Sequence, residues 1–227
     1  MNAPRAVQGP RWLYLHGFAS GPQSSKGVAL SEHYSRRGIA LERLNLRVPS
    51  LEHLRFSAMK RVVHDAIGGP SDRAIVFGSS LGALTACRVA EEDARICALV
   101  LLAPAFRISP RWRVRLGEEA WRRWEETDAL EIDDYAEKRR TTVDYGFIRE
   151  LESLEAHGDG WPDVRVPTLI VHGVNDDVAL IDNARTWAAG KRHVRLVEVD
   201  DGHELVASLA RIADEADAFL AGFTNGA

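Results

Sequence analysis

The chain has 227 residues, 45% of them apolar, and a formal net charge of −4. That is enough apolar material for one sizeable core, and the interleaved charges leave no basic footprint for nucleic acid. Met1–Pro10 holds no apolar run and no stretch approaches about eighteen apolar residues, so neither a secretion signal nor a membrane span is expected, and the expected location is cytoplasmic.

Trp12–Leu15 reads as a short buried strand that stops at a Gly/Pro/Ser loop, His16-Gly17-Phe18-Ala19-Ser20-Gly21-Pro22. Ser25–Arg37 predicts a helix closed by Gly38, and Ile39–Leu46 a second strand. After a break at Val48-Pro49-Ser50, Ser57–Ile67 predicts a helix with Met59, Val62, Val63, Ala66 and Ile67 on one face. Ala74–Phe77 is a β-branched apolar run that ends in Gly78-Ser79-Ser80-Leu81-Gly82, and helix formers follow to about Asp93. Ile96–Leu102 is the most apolar run, which suits the centre of a parallel sheet covered on both faces. Strands and helices alternate to this point, the pattern of right-handed βαβ units.

The rhythm breaks between about residues 107 and 162. Gly117–Glu126 and Phe147–Ala156 predict helices, and Leu130–Ile132 with Thr142–Tyr145 a hairpin around Glu137–Arg140. The segment reads as a cap insertion over the sheet edge, with an elaborated crossover as the alternative. Its tryptophans, Trp112, Trp121, Trp124 and Trp161, either line an apolar pocket or anchor the insertion to the core. Val166–Gly173 and Val194–Val199 are further strands, Asp182–Ala189 a helix, and Glu204–Leu220 a last amphipathic helix. With no repeat and no linker, the expectation is one domain over 1–227 with the insertion inside it.

The Gly-x-Ser-x-Gly between strand and helix is where the chemistry gathers. In that context Ser80 sits on a sharp turn at a helix N-terminus, which favours developing negative charge. Gly78 and Gly82 let strand and helix pack closely. An activated serine needs a base and a group that orients the base. His203 follows the last strand and is the candidate base. Asp176, in His172-Gly173-Val174-Asn175-Asp176, is the candidate acid, with the adjacent Asp177 as alternative and helix capping as the bland role of either. An oxyanion hole needs two backbone N–H groups, and Leu81 and Phe18 are the candidates. His16 and His172 read as structural. His33, His53, His64, His157 and His193 have no metal-ligand spacing and read as surface residues, and Cys87 and Cys97 as small buried hydrophobes.

The pieces Leu15-His16-Gly17-Phe18, Gly78-Ser79-Ser80-Leu81-Gly82, His172-Gly173-Val174-Asn175-Asp176 and Gly202-His203 resemble the α/β-hydrolase superfamily over about residues 11–220. The stretch from His16 through Ser20, Pro22 and Ser24 to Lys26 is similar to a loop of small bacterial serine esterases. The resemblance implies an α/β-hydrolase fold: a mostly parallel sheet of about six strands with helices on both faces. It implies Ser80, Asp176 and His203 as a catalytic triad, in the order nucleophile, acid, base, with Phe18 and Leu81 as oxyanion donors. The implied activity is cleavage of a small-molecule ester or thioester through an acyl-enzyme, with no metal or organic cofactor and no nucleic-acid or membrane partner. C–C bond hydrolysis or acyl transfer with the same triad is the alternative activity, and a non-catalytic binding protein on the same fold the alternative class.

Overall fold

The structure, a computed structural model, describes residues 9–224; the stretch read above for a leader lies, up to residue 8, outside them. Among the described residues no helix is long and apolar enough to cross a membrane. Strand β1 (Arg11–Leu15) leads to helix α1 (Ser25–Ser35), β2 (Leu41–Leu44), α2 (Phe56–Ile67), β3 (Ala74–Ser79), α3 (Leu81–Ala90) and β4 (Ile96–Leu102). After an intervening segment come β7 (Thr168–Gly173), α7 (Ile181–Ala188), β8 (Val194–Val199) and α8 (Leu209–Thr224). The intervening segment holds α4 (Ile108–Leu116), α5 (Glu118–Thr127), β5 (Leu130–Asp134), β6 (Arg139–Val143) and α6 (Tyr145–Glu155).

Six strands form one sheet in the order β2-β1-β3-β4-β7-β8, and every neighbouring pair is parallel. Side chains alternate across it, as a period of two requires. Ala74 and Val76 of β3 join the core beneath α2, α3 and α7, whereas Ile75 and Phe77 join the core beneath α1 and α8. The two central strands are covered on both faces, so their sequences are continuous apolar runs rather than alternating ones. In β4 the register shifts where Ala74 pairs with Ile96 but Ile75 with Ala98. Cys97 is the extra residue, and its thiol points at Ala74 O, 3.2 Å away. Because all six strands run the same way, the loops after β1, β3, β7 and β8 emerge on one edge.

Three elements differ from their sequence expectation. Helix α4 was not legible: only Ile108 and Ser109 of its nine residues are buried, so it carries almost no apolar period. The hairpin pairs Leu130–Asp134 with Arg139–Val143, because Asp144 takes the residue before α6 and Tyr145 starts that helix. The last helix starts at Leu209 instead of Glu204. Leu205 has φ 53° and is wholly buried, which breaks any helix there, and Asp201 accepts hydrogen bonds from Gly202 N and Ser208 N across the turn.

The segment between β4 and β7 is tied down at many points. Trp121 and Trp124 are buried, and Trp124 Nε1 donates to Val143 O, so these two tryptophans anchor the segment. Arg47 forms a bidentate pair with the buried Asp134 at 2.8 and 2.7 Å, Arg55 pairs with Asp144, and Arg139 with Glu52. Tyr135 N, just past β5, donates to Ala19 O in the loop after β1. Arg139, helped by Thr141, holds the Glu52 carboxyl down from its usual 4.5 to about 2. Arg47 holds Asp134 below the usual carboxylate range, and Arg55 and His53 do so for Asp144 against the opposing effect of burial.

These shifts give stability a pH dependence of known sign. A carboxyl with a depressed folded pKa contributes stability that is whole above its unfolded pKa and is lost as pH falls through the folded value. The melting temperature is therefore expected to fall from about pH 5 towards 2 through these carboxyls, with an earlier decline setting in below about pH 6.5 from His16, whose burial holds its folded pKa below the usual value. Glu52→Gln should melt lower at pH 7 and show a shallower acid decline. A flat wild-type melting temperature from pH 5 to 3 would contradict this account.

Candidate active site

Ser80 follows β3 directly and has φ 54° and ψ −115°, a conformation that costs a non-glycine residue about 1–3 kcal/mol. The surroundings over-determine it: Ser80 N donates to Leu102 O at 2.9 Å, and Ser80 O accepts from Ala105 N at 3.2 Å. A Cβ at Gly82 would lie 2.3 Å from Leu15 O, and one at Gly78 2.6 Å from Ala83 Cα. Both glycines thus allow α3 to pack against the ends of β1 and β3. Leu81 is the first residue of α3, where N–H groups have no intrahelical partner.

The loops after β7 and β8 bring the other two residues to Ser80. His203 Nε2 lies 3.1 Å from Ser80 Oγ, and His203 Nδ1 lies 2.8 Å from Asp176 Oδ2. These partners assign the proton to Nδ1 and leave Nε2 as acceptor. Asp176 Oδ1 accepts from Val178 N at 2.9 Å and Ala179 N at 2.8 Å. Its Oδ2 also faces His172 Nε2 at 3.2 Å, and that nitrogen lies 2.8 Å from Ala179 O. His172 Nε2 therefore carries a proton shared between a carbonyl and a carboxylate. Burial opposes ionisation of Asp176, but the hydrogen bonds from His172 and His203 outweigh it and hold the carboxyl well below its ordinary range. Asp177 is exposed, and its backbone carbonyl accepts from Arg111. A Cβ at Gly173 would lie 2.3 Å from Asp201 O, so this glycine lets the loops carrying Asp176 and His203 touch.

The loop after β1 lies against the serine: a Cβ at Gly17 would be 3.3 Å from Ser80 Cβ. His16 is buried and organises this loop. Its Nε2 accepts from Leu46 N at 3.0 Å, which puts the ring proton on Nδ1, and Nδ1 donates to Gly17 O at 2.9 Å. Burial holds the His16 imidazole below its usual pKa. With Gly17 O turned toward His16, and toward Ser20 N at 3.3 Å, the N–H of Phe18 in the same planar trans peptide points the opposite way. Phe18 stacks on Phe147 of α6 and meets Trp112 of α4 edge-on, with centroids 5.4 and 4.7 Å apart.

The remaining histidines are less solitary than their spacing indicates. His33, His53 and His64 each contact a carboxylate, Asp217, Asp144 and Asp93 respectively. Among the described residues no group of three or more His, Cys, Asp or Glu side chains is arranged to hold a metal ion. The residue that sequence reasoning passed over is Lys26. It was visible only as the end of a loop motif, yet it is buried beside His203.

Solved structures share this architecture. Mouse alpha/beta hydrolase domain-containing protein 10 is 18% identical, with 99% of this chain and 98% of that one covered and a TM-score of 0.77. Est1E from Butyrivibrio proteoclasticus, in a structure with ferulic acid bound, is 21% identical, with coverage of 97% and 92% and a TM-score of 0.77. A monoacylglycerol lipase from Paleococcus ferrophilus is 16% identical, with coverage of 95% and 97% and a TM-score of 0.71. No curated protein matches the chain in sequence. The fold is that of the α/β hydrolases, and the sequence profile described as "Uncharacterised protein family (UPF0227)" matches residues 11–221, so the chain belongs to that family.

Proposed function

We propose that the protein is a serine hydrolase that cleaves carboxylic ester or thioester bonds through an acyl-enzyme. The observation that carries this reading is the continuous hydrogen-bonded line from Ser80 Oγ through His203 to Asp176. In the proposed reaction Ser80 Oγ attacks the substrate carbonyl and His203 Nε2 takes its proton. The N–H groups of Leu81 and Phe18 stabilise the oxyanion. The intermediate collapses as His203 returns the proton to the leaving alcohol or thiol. Water, deprotonated by His203, then releases the acid and regenerates Ser80. Asp176 stays ionised and holds the imidazole in the right tautomer throughout.

The segment 107–162 acts in this proposal as a cap within one domain, and its aromatic side chains bound the substrate. Half-buried Phe18 and Trp112, next to the Gly17 that abuts Ser80, favour an apolar ester. The ferulic acid bound to Est1E makes aromatic esters a sensible part of the substrate panel.

The test is labelling with a fluorophosphonate probe followed by peptide mapping. Wild type should be labelled at Ser80, and Ser80→Ala should remain folded and unlabelled. Folded wild-type protein that stays unlabelled and inactive on an ester and thioester panel would end this reading.

A further inference from the structure

A lysine that is almost completely buried needs an explanation, because an ammonium leaves water only when its protons find acceptors. Lys26 sits in the first turn of α1 and is 5% exposed. Its Nζ donates to Glu204 O at 2.9 Å and to Glu204 Oε2 at 3.3 Å, and faces His203 O at 3.5 Å. Three ammonium protons thus meet three oxygens, two of them backbone carbonyls of the candidate base and its neighbour. The Glu204 carboxylate is 74% exposed, so that ion pair by itself contributes little. The carbonyls are the contacts that fix geometry.

We infer that Lys26 is a positioning residue for His203. It ties the start of α1, which follows the Phe18 loop, to the turn that carries the base, across 177 residues of sequence. The turn needs such a tie. Leu205, directly after the gripped carbonyls, has φ 53°, and regular structure resumes only at Leu209. Asp201 braces the same turn through Gly202 N and Ser208 N, at positions flanking Lys26's two carbonyls. Lys26 therefore sets the height and orientation of the His203 backbone, and through it the approach of Nε2 to Ser80. This inference rests on the reading of His203 as the base.

Lys26→Met keeps length and apolar bulk but removes the donors. The Glu204 carboxylate is largely exposed and stays hydrated, but the His203 and Glu204 carbonyls lose their donor, so the fold should survive with a lowered melting temperature while the turn loosens. The expected result is a fall in kcat on the order of 10²-fold with KM nearly unchanged, since a displacement of about 1 Å can cost that much. Fluorophosphonate labelling should slow in parallel, and amide hydrogen exchange at residues 203–206 should rise about tenfold or more without change in the central strands. Lys26→Arg, which keeps donors and charge, should recover much of the loss. Wild-type kcat together with unchanged exchange at 203–206 in Lys26→Met would overturn the inference. So would a loss explained by the unfolded fraction alone, with uniform exchange throughout the chain. Should Lys26→Met fail to fold, the wild-type protein decides: a slowly exchanging Lys26 ammonium coupled to the His203 and Glu204 carbonyls in NMR spectra is expected, and a freely exchanging one overturns it. If wild type is not labelled at all, the hydrolase reading fails, and the exchange measurement still reports separately whether Lys26 orders the turn.

Discussion

Asp176→Asn is expected to lower kcat by about 10⁴-fold while leaving KM within a few-fold, the size of effect seen when a triad histidine is held in the wrong tautomer. The reason lies in the four partners of the carboxylate. Oδ1 accepts from two backbone N–H groups, and Oδ2 faces the two imidazole nitrogens of His203 and His172. All four are donors, so an amide must turn its NH₂ group toward one pair. Backbone donors cannot become acceptors, whereas a neutral imidazole can change tautomer. The asparagine oxygen should therefore keep Val178 N and Ala179 N, and its NH₂ should face the histidines. His203 would then carry its proton on Nε2, against Ser80 Oγ, and could no longer accept the serine proton. His172 would give up its bond to Ala179 O, so a modest drop in melting temperature should accompany the loss. Steady-state rates on the best ester, with thermal melts of the same samples, check this. Asp177→Asn should behave as wild type, because that side chain lies exposed outside the network. An Asp176→Asn enzyme within tenfold of wild type would remove Asp176 from the proposed mechanism.

The parts of this molecule that could be read from sequence share a physical cause. Strands β3, β4 and β7 are buried on both faces, so β3 and β4 are unbroken apolar runs and β7 carries Leu169–Val171 between the buried Thr168 and His172. Ser80 and Asp176 could be picked out because each follows such a strand within a few residues, and His203 because it follows the alternating strand β8 in a Gly-containing turn. The rest was hidden because it depends on partners far apart in the chain. Arg47 and Asp134, or Arg55 and Asp144, look like solvated charges until the fold pairs them at 2.6–2.9 Å. Helix α4 shows no apolar stripe because it offers the core little more than its first turn and Trp112. The start of α8 was misplaced because Leu205 satisfies a helical apolar period but is used as a plug in a left-handed turn. Lys26 closed a recognisable motif, but nothing local says that its ammonium is buried against carbonyls 177 and 178 residues away.

Gly82→Ala should be strongly destabilising for a single added methyl. The added Cβ would stand 2.3 Å from Leu15 O and 2.6 Å from His16 O. Both are main-chain atoms at the end of β1, and Leu15 is paired with Leu44 on one side and Gly78 on the other, so β1 cannot yield. Helix α3 must move out instead, against a buried face that includes Leu81, Leu84 and Thr85. Overpacking of this kind costs about 3 kcal/mol or more when only backbone can give way. For a chain of this size that is a fall of about 6–12 °C in melting temperature. Gly202→Ala is the matched control: it adds the same methyl beside His203, where nothing lies within 4 Å, and should melt within about 2 °C of wild type. A Gly82→Ala protein that melts with the control would mean that α3 and β1 are not in the close contact described here. The two variants also separate fold from chemistry. Asp176→Asn should remove activity from a protein whose melting temperature drops only modestly. Gly82→Ala shifts the helix whose first N–H is the proposed oxyanion donor and whose cap residue is Ser80, so its folded fraction should also label slowly. Stability and reactivity should fall together in Gly82→Ala because one backbone contact sets both.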